Sequence, residues 1–415
     1  MAKLRVKKFG PLNDGFSENK GFMEFRKLTV FIGEQGSGKS TIAKLYSTFL
    51  WLEKAFFCEF NLVNDFKTID FIRLCSNQLL PDFYFTESTE LEYIGEYCQF
   101  KFASGKFEYK KNVSETYNRP KIMYIPSERN LVSVLENVEG IKKLPIMLDL
   151  LQQEIRKAKK NFIPKISDKV NSLSLNNYSI KYDSSNDSII IIEKSSNAAV
   201  PLTMSSSGLQ SVIPLMIVTD FLSKEINKRL LDKLRDLSSA EREKLLNDIP
   251  DEAIKRNVEI YFISGLGQSK TESDIQKYEK AFSKYINSKF INIVEEPEQN
   301  LFPEYQKDIV ESLILYANQK SENGLLITTH SPYVLGVLNN CMYAGNLTRR
   351  GKDCSDVISV NHQIPSSEVS AYKIEEGKIH SIISEELYLI NNSEIDSCSE
   401  SINSDYQKLE DIEFL

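Results

Sequence analysis

The chain has 415 residues, 41% hydrophobic and 26% charged, with 58 acidic side chains against 51 Lys and Arg and a formal charge of −7. That length suits two or three domain-sized units sharing a sizeable core, and the acidic balance excludes a protein whose whole surface coats nucleic acid, although a local basic groove would still permit a DNA contact. No window is apolar for the length of a membrane span, MAKLRVKKFG lacks the apolar stretch of a signal peptide, and six scattered cysteines with no C-x-x-C pair and three histidines point to reduced thiols in a cytoplasmic chain with no membrane partner.

The first elements are strand-like runs at Lys3 to Phe9 and Phe22 to Phe31, followed by a glycine loop and a helix in AKLYSTFLWLEKAF with apolar residues three and four apart. The loop, Gly33-Glu34-Gln35-Gly36-Ser37-Gly38-Lys39-Ser40-Thr41, fits G-x-x-x-x-G-K-[ST] between a strand and a helix, the context that confirms a phosphate loop. Its glycines let successive N–H groups turn inward around a β-phosphate at the positive end of the helix. Lys39 adds a point charge between the β- and γ-phosphates, and the Ser40 hydroxyl is placed to ligate Mg²⁺, so ATP and Mg²⁺ are the expected ligands.

A helix around Ile69 to Leu80, a hairpin in YCQFKFASGKFEYKKNV, the strand KIMYIP with SERN after it, a helix in PIMLDLLQQEIRKAKKNF and a hairpin in YSIKYDSSNDSIIIIEK come next. SSSGLQS, residues 205–211, then opens an apolar helix, VIPLMIVTDFL. Taken alone it is a flexible linker. Taken with that helix, its serine hydroxyls, glycine N–H and helix N-terminus form a second anion cradle with no phosphate of its own chain to hold, which makes sense if it completes another subunit's site.

From about Ser223 to Lys289 the composition turns to dense alternating charge, which predicts two helices joined by a turn, with Leu230, Leu234 and Leu237 at helical spacing. Such an arm is either a solvated extension or an assembly and docking surface. The β-α alternation then returns: FINIVEE, the helix PEYQKDIVESLILYA, the strand GLLITTH, the helix SPYVLGVLNN and closing strands near Tyr372 to Ile383. Beyond Glu385 the composition is acidic, with Lys408 the single basic residue, and suits a disordered or loosely docked tail.

Phe290 to Val294 read as a buried parallel strand with Glu295 and Glu296 at its carboxyl end, where open α/β sheets place ligands. Glu295 is assigned to Mg²⁺ through its water shell, and Glu296 to polarising a water for attack on the γ-phosphate. A solvated acidic turn is the plainer alternative. His330, at the end of GLLITT, is assigned to contact with the γ-phosphate.

Ser206-Ser207-Gly208-Leu209-Gln210 resembles the L-S-G-G-Q signature of ABC-type ATPases. GEQGSGKST, IVEEPEQNLFP and TTHSP resemble their Walker A, Walker B with D-loop, and switch-histidine segments, in the same order over residues 33–331. Ser206 and Leu209 depart from the consensus, which leaves anion binding in place and bears on the hydrolysis rate. The resemblance implies an α/β fold, a P-loop NTPase of ABC-ATPase type with an antiparallel β subdomain and an inserted charged helical arm. The head would occupy residues 1–222 and 290–384, the arm 223–289 and the acidic tail 385–415. It also implies a head-to-tail pair of heads in which Ser206, Ser207, Gly208 and Gln210 of one copy face the Lys39 loop of the other.

Tyr124-Ile125-Pro126-Ser127-Glu128-Arg129 resembles the segment that replaces the glutamine loop in AAA-type ABC ATPases of bacterial defence and in overcoming-lysogenization-defect nucleases, which implies nucleotide sensing by Glu128 or Arg129. A transporter subunit would have a short gap between signature and Walker B, and a DNA-repair SMC ATPase would need longer heptad arms than one broken at Asp248-Ile249-Pro250. The length, motif order and PSER segment look most like the ATPase subunit of the phage anti-restriction-induced two-gene defence system. That resemblance implies a homo-oligomer that holds a Toprim nuclease from a neighbouring gene and releases it when a phage anti-restriction protein is sensed.

Overall fold

The computed structural model describes residues 2–58, 65–112, 117–134, 144–161, 178–249, 251–264 and 282–391. Its strands are β1 (Ala2–Lys7), β2 (Gly15–Phe16), β3 (Met23–Phe25), β4 (Leu28–Gly33), β5 (Glu90–Ile94), β6 (Cys98–Ala103), β7 (Lys106–Lys111), β8 (Pro120–Ile125), β9 (Tyr178–Asp183), β10 (Ser188–Glu193), β11 (Ala199–Pro201), β12 (Lys289–Glu295), β13 (Gly324–Thr329), β14 (Val369–Glu375) and β15 (Lys378–Ser381). Its α-helices are α1 (Lys39–Cys58), α2 (Thr68–Asn77), α3 (Asn130–Val134), α4 (Ile146–Asn161), α5 (Ser207–Asn227), α6 (Leu230–Arg235), α7 (Ser239–Asp248), α8 (Glu252–Ser264), α9 (Pro303–Asn318) and α10 (Pro332–Arg349). Among the described residues no helix is long and apolar enough to cross a membrane.

The central sheet runs β2-β15-β14-β4-β13-β12-β8. Five of its strands, β14, β4, β13, β12 and β8, are mutually parallel, and β15 with the edge strand β2 runs antiparallel to them. Parallel strands are covered on both faces, which is why β12 is buried at every position and why LTVFIG, FINIV and LLIT read as apolar runs rather than alternations. One face carries α4, α5, α9 and α10 and the small β11-β10-β9 sheet around a core that includes Ile213, Leu313 and Leu338.

The other face carries α1, which lies between the parallel sheet and the antiparallel sheet β3-β1-β5-β6-β7. Aromatic residues fill that second interface. Phe49 stacks on Tyr93 at 5.2 Å, and Phe71 stacks on Phe107 at 4.4 Å. The β6-β7 hairpin turns at Ser104 and Gly105, both at positive φ as a tight two-residue turn requires.

Two sequence expectations change. Phe22 to Phe31 is not one strand but two, β3 and β4, in different sheets. The charged pair Arg26-Lys27 reaches out to Glu24 and Glu368, and the Arg26 N–H donates to Thr29 Oγ1 at 3.2 Å, so the chain turns there. The charged arm holds three short described helices, α6 to α8, where two were expected. Ser238 starts α7 with a capping box, its hydroxyl accepting from the Glu241 N–H at 3.3 Å while the Glu241 carboxylate accepts from the Ser238 N–H at 3.0 Å. Leu234, Leu245, Ile249, Val258, Tyr261, Phe282 and Ile286 form a separate small core beneath these helices, and α5 runs on to Asn227 before the arm begins. The second half of the arm at 265–281 and the acidic tail from 392 lie outside the described residues.

Candidate nucleotide site

The phosphate loop lies where β4 ends and α1 begins, with Lys39 as the first helical residue. Gly38 has φ +113, and a Cβ there would sit 2.9 Å from Leu12 Cδ2, so neither the backbone angle nor the space admits a side chain. The Lys39 ammonium is drawn back into its own loop, donating to the carbonyls of Gly33 at 2.7 Å and Glu34 at 2.8 Å. Burial pushes its pKa down to about 8 against the attraction of Glu296, Glu298 and Glu295, which leaves it mostly charged at neutral pH. Ser37 Oγ is buried in the same loop without a hydrogen-bond partner, a hydroxyl open to an entering oxygen. Glu34, Gln35 and Gly36 are exposed at the loop's rim, and Ser40 and Thr41 are half-buried on the first turn of α1.

The acidic strand end faces this loop. His330, just past β13, has its Nδ1 3.3 Å from the Lys39 ammonium and its Nε2 3.0 Å from the Glu296 carboxylate. The neutral tautomer that satisfies both contacts carries its proton on Nε2, accepting from the lysine and donating to the glutamate. Glu296 has φ +43, a left-handed conformation unusual for a side chain of this kind, and its N–H is tied to Thr328 O at 2.8 Å. The structure thus joins Lys39, His330 and Glu296 in one chain of contacts.

Glu295 is almost fully buried, and its carboxylate accepts from the Tyr124 hydroxyl and from the Ser127 N–H at 3.1 Å. A Ser hydroxyl and a carboxylate are hard oxygen donors of the kind Mg²⁺ takes, and Ser40 with Glu295 would hold it together with phosphate oxygens and water. Among the described residues no group of three or more His, Cys, Asp or Glu converges as a metal site.

Sequence reasoning overlooked Glu298. Its Oε1 accepts from Thr329 Oγ1 at 2.7 Å and from the His330 N–H at 2.8 Å, which fixes the end of β13. A third acid in EEPE was the available signal. Tyr124 and Ser127 were also missed as ligands of Glu295, and nothing local in the sequence marks them, because Tyr124 and Glu295 are 171 positions apart.

Arg129 requires a correction. It is fully buried, and its guanidinium donates to the carbonyls of Ser211 at 3.0 Å, Pro126 at 3.3 Å, Glu295 at 2.6 Å and Glu296 at 2.7 Å. With four of its five N–H groups spent on backbone, it is an internal tie and not a nucleotide contact. Glu128 stays exposed beside it.

The signature turn is built at the start of α5. Ser206 is the N-cap, Ser206 and Ser207 are exposed, and a 21-residue helix stands behind them. A Cβ on Gly208 would lie 2.6 Å from Asn300 O, so glycine is required by the close approach of the loop after Glu298. The Gln210 amide donates to Thr203 O and Ser205 O at 3.0 and 3.1 Å, which makes that group a brace of the turn rather than a free ligand donor.

A strand, a G-x-x-x-x-G-K-[ST] loop and a helix in a parallel sheet, faced by an acidic strand end and a histidine, define a P-loop NTPase fold of ABC-ATPase type. Residues 267–335, which include β12, its acidic end and His330, match the AAA ATPase domain family. No curated protein matches the chain. Among solved structures it is similar to the SMC head domain from Thermotoga maritima, at 10% identity and a TM-score of 0.36 over 92% of this chain and 98% of that one. It is also similar to the Smc head domain with an extended coiled coil bound to the C-terminal domain of ScpA from Pyrococcus furiosus, at 10% identity and 0.37 over 97% and 100%. A third, the SmcHead bound to the C-winged helix domain of ScpA, matches at 12% identity and 0.35 over 92% and 98%.

Proposed function

We propose that this chain binds Mg²⁺-ATP at residues 33–41 and hydrolyses it, in the cytoplasm, as a homo-oligomer built from head-to-tail ATPase pairs. The contact chain from Lys39 through His330 to Glu296 carries this reading, because it already holds the phosphate-binding cation, the γ-phosphate sensor and the base together. Mg²⁺, when bound, neutralises charge on the β- and γ-phosphates. Lys39 leaves its two carbonyls for the phosphates, and His330 moves from lysine to γ-phosphate. Glu296 accepts a proton from the attacking water as the water oxygen bonds to the γ-phosphorus and the bond to ADP breaks. Ser206, Ser207 and Gly208 of a neighbouring copy close over the nucleotide, the exposure of Ser206 and Ser207 in the single chain supporting that role.

The same reading assigns the head to 1–222 and 290–384, the arm 223–289 to oligomer or effector contacts and 385–415 to an acidic tail. Motif order and the Tyr124 to Arg129 segment favour an ATPase of anti-phage defence, a scaffold and sensor that sequesters a Toprim nuclease and frees it when a phage anti-restriction protein binds.

Phosphate release from the purified protein tests the enzyme. Glu296→Gln should lower turnover by about 10²- to 10³-fold while ATP-bound assemblies accumulate on size exclusion. Unchanged hydrolysis would remove Glu296 as the base. Copurification with the product of the neighbouring gene tests the defence role, and its absence in the ATP-bound state would remove nuclease capture.

A further inference from the structure

Two parts of the proposed site, the base at the end of β12 and the signature turn at the start of α5, are far apart in sequence and touch through a third segment. That segment is residues 124–133. Its Tyr124 hydroxyl and Ser127 N–H hold the Glu295 carboxylate, and its Ser133 hydroxyl donates to Gln210 O at 3.0 Å on the first turn of α5. Arg129 stands between them. Its Nη1 and Nη2 reach the carbonyls of Glu295 and Glu296, and its Nε reaches the carbonyl of Ser211.

Glu296 depends on such a tie. Its left-handed backbone is held at the N–H by Thr328 O and at the carbonyl by Arg129, and this pinning aims its carboxylate at His330. The signature turn has no slack either: Gly208 lies against Asn300 O so closely that no other residue fits, and the Ser211 hydroxyl is 3.4 Å from Gln299 Oε1. A shift of residues 296–300 therefore pushes the first turn of α5, and a shift of α5 pulls on the carbonyl that aims Glu296.

We propose that Arg129 is a positioning residue for hydrolysis: by gripping the carbonyls of Glu296 and Ser211 at once, it makes the base and the signature turn move as a single unit. Closure of a partner copy over Ser206 and Ser207 is then felt at Glu296 in the same subunit. Nucleotide affinity is set elsewhere, at the Lys39 loop. This inference rests on the proposed ATPase reading, which fails separately if the wild-type protein neither binds ATP nor releases phosphate.

Arg129→Lys keeps the charge but not the fork, and Arg129→Gln keeps a two-donor amide while removing the buried charge. Either should lower kcat by at least about 30-fold and leave KM and nucleotide affinity within about threefold. In a Glu296→Gln background neither should lower the residual rate further, since both act through one group. A raised KM with unchanged kcat, or rate losses that multiply in the double variant, would overturn the proposal. Hydrogen exchange on the wild-type chain tests it with no substitution at all. Amides in 296–300 and 207–211 should gain protection together and to similar extent when ATP is added; protection of one segment alone would also overturn it.

Discussion

The two ends of β12 are built in opposite ways. At its carboxyl end stand Glu295 and Glu296, one buried and clasped, the other half-exposed on a left-handed backbone and bonded to a histidine. At its amino end three lysines converge on amide oxygens: Lys54 on Asn287 Oδ1 at 3.1 Å and Pro120 O at 2.8 Å, Lys233 on Asn287 O at 3.1 Å, and Lys320 on Ser288 O at 3.2 Å. Asn323 closes that end, accepting from the Phe290 N–H at 2.8 Å and donating to Tyr316 O at 3.3 Å. The amino end fastens α1, the arm and the sheet together. The carboxyl end keeps strained backbone and titratable groups in contact with one another, which is how sites that must change partners are made. Residues at one end should thus matter to turnover and those at the other to stability.

The largest test of that division is Lys39→Ala. ATP affinity should fall by at least about a hundredfold, ~2.7 kcal/mol, in a fluorescent-nucleotide titration. The apo protein should melt within about 4 °C of wild type, because the ammonium it loses is costly to bury and bonds only to two loop carbonyls and the His330 ring, all within the site. A collapse of apo stability would show that the phosphate loop is structural, and the contrast would fail.

Asn323→Ala is the converse at the amino end. It strands the buried Phe290 N–H and takes one of two donors from the Tyr316 carbonyl, which keeps the Gln319 N–H, so unfolding in urea should show a loss of about 2 kcal/mol. Turnover per folded molecule should stay within about twofold. A large drop in kcat with stability intact would place the amino end in the chemistry.

These two ends were not equally legible in the sequence. The glycine loop and the EEPE strand end could be read because each shows particular residue types at fixed spacing: glycine where a Cβ would strike Leu12, lysine at the head of the following helix, acids at the tip of an apolar strand. The parallel strands were legible for a related reason, their burial on both faces. The lysine hub at Asn287 and Ser288 was not, since its donors come from α1, the arm and the loop after α9, and nothing local distinguishes a lysine that will bind a carbonyl from one that faces water. Arg129 misled for the same reason. Its place in a known segment suggested a nucleotide, whereas three long-range carbonyls decide its role. The break at Arg26-Lys27 needed knowledge of Glu368, more than three hundred positions away.

Glu298→Ala sharpens the carboxyl end. It frees the Thr329 hydroxyl and the His330 N–H, and a histidine without that anchor meets the γ-phosphate less often, so kcat should fall about tenfold with ATP affinity little changed. If affinity falls instead and kcat holds, Glu298 acts through the charge it lends to the Lys39 neighbourhood and not through His330.

The smallest effect is a slope. Burial, with Arg119 and Lys121 nearby, lowers the Lys54 pKa from 10.5 to about 7, so between those values the unfolded chain binds a proton that the folded chain does not. Stability then rises with pH across that window and is lowest below pH 7, where both states are protonated and the full penalty of burying the ammonium is felt. From pH 7 to pH 8 this one group should add about 1 kcal/mol to the wild-type unfolding free energy. Lys54→Met removes the titrating amine, so the variant's stability should gain about 1 kcal/mol less over that step in parallel urea titrations. Equal gains would mean that Lys54 titrates in the fold as it does in water, and that the amino end of β12 is wetter than its carbonyl partners imply.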